Sequence, residues 1–338
     1  MSTMSFDSRS GFIWFDGEIV PWREAKLHVL SHGLHYGSSV FDGDRAYAGV
    51  IFKSKDHSER FARSAEILDF KIPYSTEQIE FAKKEVLRLN GGGSQYVRSV
   101  AWRGSEMMAL GAQYTTIHVA IATWEWPSMF DPEIKMKGIA LDIADYRRPD
   151  PATMPVRAKA AGLYMIGTLS KHRAEERGCA DALMLDWQGR IAECTGANIM
   201  FSRDGVIHTP IADCFLDGIT RRTVIDLARR RGIEVVERRI MPHELATFAE
   251  CFICGTAAEV TPVSRIASYG FVPAEISRVL MEDYTNEVAG KAPVTKQSAA
   301  RERGPDHGAD ASREVRLSSA RTTAAMSRSP SPSSIVSP

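Results

Sequence analysis

Between Gly11 and about Val288, the apolar residues of this chain switch repeatedly between the two-residue repeat of a strand and the 3.6-residue repeat of a helix. Strands and helices interleaved in this way indicate α/β or α+β architecture. GFIWFDGEIV (11–20) reads as two short strands around an Asp16-Gly17 hairpin turn. Ser54 to Phe70 carries Phe61, Ala65 and Leu68 at helical spacing, with Ser54 or Asp56 as the N-cap. A second helix is predicted from Thr76 to Leu89, stopped by Asn90-Gly91-Gly92-Gly93, with strands following at 94–102 and 115–123. WEWPSMFDPEIK (124–135) is rich in turn formers and reads as a linker.

Beyond Met136 short strands alternate with helices. GLYMIGTLSKHRAEERG (162–178) is amphipathic, DALMLD and IAECTGANIMF read as a hairpin about Trp187-Gln188-Gly189, VIHTP follows the Asp204-Gly205 turn, and 220–231 is a basic helix ending at Gly232. CFICGTAAEVTPV (251–263) reads as strand, turn and further extended chain. The expected organisation is a small N-terminal domain (1–123), a linker (124–135), a larger domain (136–290) and a disordered tail (291–338). The tail has no aromatic residue and no sustained apolar period, so it cannot bury enough surface to offset its ordering entropy. A basic interaction arm is the alternative, but its excess of basic residues is small.

The 42 basic and 42 acidic side chains balance, so charge offers no argument for a nucleic acid or an anionic membrane as partner. No apolar run reaches membrane-spanning length, and the N-terminus lacks the pattern of a secretory signal. Five cysteines without framework spacing suit a reducing, cytoplasmic compartment. Cys251 and Cys254 are spaced CxxC, yet on a strand they face opposite ways, which disfavours a redox pair.

The most informative stretch is RAKAAGLY (157–164), where Lys159 sits among small residues just before an amphipathic helix. Burial penalises an amine's charged form and makes it nucleophilic toward an aldehyde, although most lysines are solvated surface groups. Lys171, within Lys171-His172-Arg173 on a polar helix face, suits that solvated reading. Glu193 lies on an otherwise apolar strand and should face a pocket or a buried partner, a structural salt bridge being the alternative. Asp217-Gly218 opens the helix near Thr220, where free amides could cradle an anion, and Gly255-Thr256-Ala257 is a second small-residue turn. Arg60 could supply a fixed cation for a phosphate, or be an ordinary surface arginine. Tyr96 and Arg98 share one strand face and could read a carboxylate. His28, His32 and His35 suggest a metal only weakly, since no Cys or carboxylate cluster completes a ligand set, so no metal is expected.

In order and spacing, SHGLHYGSSVFDGDRAY, HSERF, YVR, AKAAGLY, IAECTGANIMF, GITR and GTAAEVTPV resemble the class IV, fold-type IV aminotransferases, and among them the branched-chain amino acid aminotransferases. The resemblance runs from about Gly11 to Val288 and implies two domains, a small α/β one and a larger one with a barrel-like β core. It implies pyridoxal 5'-phosphate as cofactor, with Lys159 bonding its aldehyde and then moving the proton at the substrate Cα. Tyr164 would bind the cofactor's phenolic oxygen and Glu193 its pyridine nitrogen. Arg60, the Ile219 and Thr220 amides and Thr256 would hold its phosphate. The Thr256 and Ala257 amides with Tyr96 would take the substrate α-carboxylate, and Arg98 the side-chain carboxylate of glutamate. Phe41, Trp126, Tyr164 and Tyr36 of a neighbouring subunit would wall an aliphatic pocket, which implies at least a homodimer.

The implied reaction moves the amino group of leucine, isoleucine or valine onto 2-oxoglutarate, with amino acids and 2-oxo acids as the partners. A D-amino-acid or (R)-amine transaminase of the same fold is the alternative, with an aminodeoxychorismate lyase behind it. Two departures bear on pocket shape: Phe41-Asp42-Gly43 stands where the family usually has FEG, followed by Asp44, and Met129 stands where an aromatic is common.

Overall fold

Asp16 and Gly17 both take positive φ (49° and 101°), which closes strand β1 (Phe12–Phe15) onto β2 (Glu18–Pro21) as the Asp-Gly dipeptide predicts. That hairpin edges an antiparallel six-stranded sheet in the computed structural model, which describes residues 5–126 and 135–291. The strand order is β2-β1-β6-β5-β3-β4, with β3 Ser39–Tyr47, β4 Val50–Ile51, β5 Gln95–Arg103 and β6 Ile117–Glu125. Trp124 and Glu125, expected in the linker, are the last residues of β6; residues 127–134, Met129 among them, lie outside the described residues.

A short helix α1 (His32–Tyr36) precedes β3, and α2 (Ser54–Ile67) and α3 (Thr76–Leu89) cover the sheet. Phe61, Ile79 and Val86 from these helices pack on Val40, Val97, Val119 and Ile121 from the strands. Ser75 and Gln78 form a reciprocal capping box at the start of α3, and Asn90 caps its end before three glycines with positive φ. The start of α2 differs from expectation. Its N-cap is Lys53 in the left-handed region (φ 47°), without a side-chain cap, and the Ser54 hydroxyl donates instead to Glu80 on α3 (2.8 Å). A tertiary partner has taken the hydroxyl that local reasoning assigned to the cap.

The second sheet is mixed, in the order β12-β11-β10-β13-β14-β7-β8-β9, with β15 (Tyr269–Gly270) appended to β14. Its strands are β7 Ile139–Ile143, β8 Asp181–Leu185, β9 Ile191–Cys194, β10 Asn198–Arg203, β11 Val206–Pro210, β12 Val235–Arg238, β13 Glu250–Gly255 and β14 Glu259–Ile266. IAECTGANIMF is thus two strands rather than one, broken at Thr195-Gly196-Ala197, and the Cys194 N–H donates to Ala197 O (2.8 Å) across the break. That return brings β9 back beside β10 and curls the sheet into a half-barrel. Leu183 and Ile191 from one end pack with Ile199, Phe201, Ile253 and Val263 inside the curl. Each fully buried aromatic or aliphatic side chain of this kind contributes about 1.5–3 kcal/mol.

Helices α4 (Met165–Glu176), α5 (Ile219–Arg231) and α6 (Glu275–Val288) complete the unit. Met200, Ile207 and Phe252 point out of the curl and meet Val224, Leu227, Leu280 and Tyr284 of α5 and α6. Cys251 lies in the inner cluster and Cys254 in the outer one, as strand alternation requires, and all five cysteines are free and buried. Residues 292–338, the expected disordered tail, lie outside the described residues.

Candidate active site

Lys159 is held by its backbone between the two sheets. Its carbonyl accepts from the Phe41 N–H (3.1 Å), its N–H donates to Ser64 Oγ on α2 (3.0 Å), and Val40 and Ala160 form an antiparallel bridge beside it. A 3₁₀ turn over Ala161–Leu163 then folds the chain back, so that Lys159 Nζ donates to the Tyr164 hydroxyl (2.7 Å). The amine lies 4.9 Å from the Phe41 ring centre and 5.0 Å from that of Tyr164, and the two rings meet edge-on at 4.8 Å. Gly37 and Gly162 make the turn possible, since a Cβ on Gly37 would come within 3.2 Å of the Gly162 Cα, and Gly37 has φ 65°.

Glu193 opens into the same cavity from β9. It is buried, and its protein partners are distant: Arg148 Nε stands 3.4 Å from Oε1, and Asn198 Nδ2 donates to Oε2 at 3.3 Å. Burial pushes its carboxyl up to about 7, with Arg148 and then Lys159 opposing the rise. Asn198 also donates to Leu216 O (3.1 Å), and its Oδ1 would stand 2.2 Å from a Cβ at position 218, so any side chain there would have to displace Asn198. Gly218 is the N-cap of α5 and offers no side-chain cap, so the Ile219 and Thr220 amides that follow begin the helix free for an anion.

Of the residues singled out from sequence, Arg60, Tyr96, Lys159, Tyr164, Glu193, Ile219, Thr220, Thr256 and Ala257 line this one cavity. Arg60 reaches it from α2 as a largely buried side chain gripped by Asp42, not as a surface arginine. Phe41 and Trp126 flank the cavity through ring contacts, Phe41 with Tyr164 and Trp126 with Tyr96 (5.2 Å). Arg98 shares a strand face with Tyr96 but lines a neighbouring apolar cavity; its guanidinium lies 4.7 Å over Phe41 and 5.3 Å over Tyr96, with Nε lacking a hydrogen-bond partner. Tyr36 is not brought to the cavity by its own chain; it is 44% exposed and packs on His32. Sequence reasoning missed Arg148 and Asn198, whereas Gly218 stands at the helix opening that it singled out. A buried Asn five residues after Glu193 in an apolar strand was the available signal for Asn198.

The three histidines of the N-terminal segment are not gathered for a metal: His28 accepts from the Leu30 N–H, His32 contacts Ser38 and Ala109, and His35 contacts Val29. Among the described residues Asp42, Asp44 and His57 do approach one another closely enough for a cation. Arg60 and Lys83 already occupy those carboxylates, at 2.8 and 2.6 Å, so the cluster is neutralised from within.

The cavity therefore offers an amine beside a phenol, an underpartnered buried carboxylate, and a helix start with an arginine nearby. That set fits a group carrying an aldehyde, a basic ring nitrogen and a phosphate. Pyridoxal phosphate carries all three.

The family model for amino-transferase class IV matches residues 39–266. A probable branched-chain-amino-acid aminotransferase of Rickettsia bellii is 41% identical over 292 residues, 85% of this chain and 100% of that relative. The branched-chain-amino-acid aminotransferase of Pseudomonas aeruginosa is 41% identical over 267 residues, 78% of this chain and 87% of its own. Among solved structures, the T.th. branched-chain amino acid aminotransferase with pyridoxamine 5'-phosphate superposes with a TM-score of 0.82 at 40% identity, covering 84% of this chain and 96% of that one. That of Thermoproteus uzoniensis with norvaline gives 0.80 at 36% identity over the same shares. With the Lys159 and Glu193 cavity placed between its two sheets, the chain belongs to the class IV aminotransferases and, within them, to the branched-chain amino acid aminotransferases.

Proposed function

We propose that this enzyme transfers the amino group of L-leucine, L-isoleucine or L-valine to 2-oxoglutarate, using pyridoxal 5'-phosphate, with Lys159 as its catalytic residue. The observation that carries the reading is the meeting of the Lys159 amine, the Tyr164 hydroxyl and the Glu193 carboxylate in one cavity. When bound, the cofactor supplies an aldehyde that bonds the substrate amine and a ring that draws electrons from Cα. Glu193 holds a proton on the ring nitrogen, the role for which a carboxylate with spare acceptor capacity is suited. Tyr164 orients the cofactor's phenolic oxygen. Arg60, the Ile219 and Thr220 amides and Thr256 anchor the phosphate. Lys159, flanked by Phe41 and Tyr164, would be the base that takes the proton from the substrate Cα and holds it for return.

Substrate selection follows from the walls. Tyr96 with the Thr256 and Ala257 amides takes the α-carboxylate, while Phe41, Trp126 and Tyr164 surround an aliphatic side chain. Arg98 lines the neighbouring cavity with its guanidinium over Phe41 and Tyr96, and from that side it would meet the second carboxylate of glutamate, so an acidic substrate is accepted beside an apolar one. The units 1–123 and 136–290 act as small and large domains with the site between them.

A homodimer or larger homo-oligomer is part of the same reading. Leu27, Val29, Leu30, Leu34 and Tyr36 are 44% to 70% exposed around one short segment, an apolar surface suited to a second copy that would bring Tyr36 to its neighbour's pocket. Among the described residues no helix is long and apolar enough to cross a membrane, and the free, buried cysteines accord with work in the cytoplasm. Glutamate formation from 2-oxoglutarate, measured with each enantiomer of leucine, is the test. Turnover with L-leucine is expected; turnover with D-leucine alone would replace this reading by a D-amino-acid transaminase.

A further inference from the structure

Asp42 is wholly buried at the middle of β3, directly after Phe41. Its Oδ1 accepts from the Gly43 N–H (2.8 Å), from His57 Nδ1 (2.7 Å) and from Arg60 Nη2 (2.8 Å), and its Oδ2 accepts from Arg60 Nε (2.8 Å). The carboxylate thus grips one whole edge of the guanidinium, fork to fork. Arg60 Nη2 also stands 3.3 Å from His57 Nδ1. Asp42 thus takes the one N–H of Nε and one of the two on Nη2. Nη1 has no hydrogen-bond partner among the described residues, on a side chain that lines the lysine cavity.

The groups behind this grip are arranged so that they do not compete for Arg60. Asp44, two residues along β3, is bound by Lys83 Nζ (2.6 Å), which also donates to Ser58 Oγ (2.7 Å). His57 lies between the two aspartates, 4.0 Å from Asp44 Oδ1. Burial works against the charge of Asp42, but Arg60 and then His57 outweigh it and hold the carboxyl well below the usual range. The grip therefore persists at neutral pH.

We propose that Asp42 is a positioning residue for the phosphate end of the cofactor: by holding Arg60 along its Nε and Nη2 edge, it fixes the direction in which the free Nη1 end is presented to the phosphate. This rests on the reading of Arg60 as a phosphate ligand. An arginine left free loses rotamer freedom when it meets an anion, whereas one gripped during folding has already lost it. Removing the grip therefore weakens phosphate binding even though it frees a positive charge.

The test uses the full-length chain stripped of cofactor and titrated with pyridoxal phosphate and, separately, with pyridoxal, which lacks the phosphate. Visible absorbance and protein fluorescence report binding. For Asp42→Asn, which keeps the shape but not the two-oxygen acceptor, affinity for pyridoxal phosphate is expected to fall about tenfold with pyridoxal within about twofold of the parent. Arg60→Gln should lose the preference for the phosphorylated form, and adding Asp42→Asn to it should cost nothing more. The double variant removes both charges of the buried pair together, so it carries the test if the single Asp42 variant does not fold. Asp42→Asn weakening both ligands equally, or keeping the parental preference while Arg60→Gln loses it, overturns the proposal and leaves the Arg60 reading standing. A double variant weaker for pyridoxal phosphate than Arg60→Gln also overturns it. Arg60→Gln keeping the preference sinks both.

Discussion

Two buried acidic centres lie on opposite sheets around the cofactor site, one behind Arg60 and the other, Glu193, lining the cavity itself, and they are built in opposite ways. On β3, Asp42 is saturated by Arg60 and His57 at 2.7 to 2.8 Å, while its neighbour Asp44 takes Lys83 on Oδ2 at 2.6 Å and leaves Oδ1 without a hydrogen-bond partner. On β9, Glu193 has only Arg148 and Asn198, at 3.4 and 3.3 Å. The outcome shows in their protonation. Asp42 is held well below the ordinary range, while burial lifts Glu193 to about 7. A carboxylate whose partners all come from the protein serves to position something else. One left short of partners is suited to a cation, and in the proposed reaction the protonated ring of the cofactor is that cation.

The contrast can be broken first at Lys83, whose side chain is wholly buried against Asp44. Lys83→Met strands a buried carboxylate and should cost about 3–5 kcal/mol of stability in chemical unfolding. Burial already raises the Asp44 carboxyl even with Lys83 present, so the folded form holds that proton more tightly than the unfolded one, and the cost should be greater at alkaline than at acid pH. A loss below about 1 kcal/mol at alkaline pH would mean that Asp44 does not need its partner.

Glu193 should respond in the reverse sense. Its folded carboxyl near 7 lies above the ordinary 4.5, so the cofactor-free chain holds a proton that the unfolded chain releases. Stability contributed at low pH is therefore lost as pH rises through 7. Glu193→Gln removes that slope and should stabilise the stripped chain by up to about 3 kcal/mol above neutrality, while turnover collapses. Equal slopes in parent and variant would show that Glu193 is not the strained group.

The smallest effect is expected at Arg148, whose charge chiefly opposes the rise at Glu193. Arg148→Gln should move the pH at which the slope levels off upward by about one unit, roughly 1.4 kcal/mol. An unmoved midpoint would assign that work to Asn198 or Lys159.

Local chemistry was legible in the sequence wherever local chemistry decides. Asp16-Gly17 turned the first hairpin, Asn90 and its glycines stopped α3, and alternation sent Cys251 and Cys254 to opposite faces of β13. Lys159, Tyr164 and Glu193 were found through motif order, and the fold brings them into one cavity. What escaped depends on pairs remote in sequence. Ser54 forgoes its cap for Glu80 on the next helix, and Asp42 meets Arg60 only because α2 packs across β3. The turn at Thr195-Gly196-Ala197 was hidden because β9 and β10 are both buried and apolar, so their residues read as one run. Arg98 was placed on the correct strand face, yet it lines a cavity beside that of Lys159, and a strand's period of two carries no information about which cavity its face will meet.

The central claim is that the Lys159 amine performs the chemistry between these two centres. Glutamate formation by Lys159→Ala from L-leucine and 2-oxoglutarate, followed over many turnovers, tests it directly. The rate should fall at least about a thousandfold while the variant remains folded. Sustained turnover at the parental rate would contradict the account.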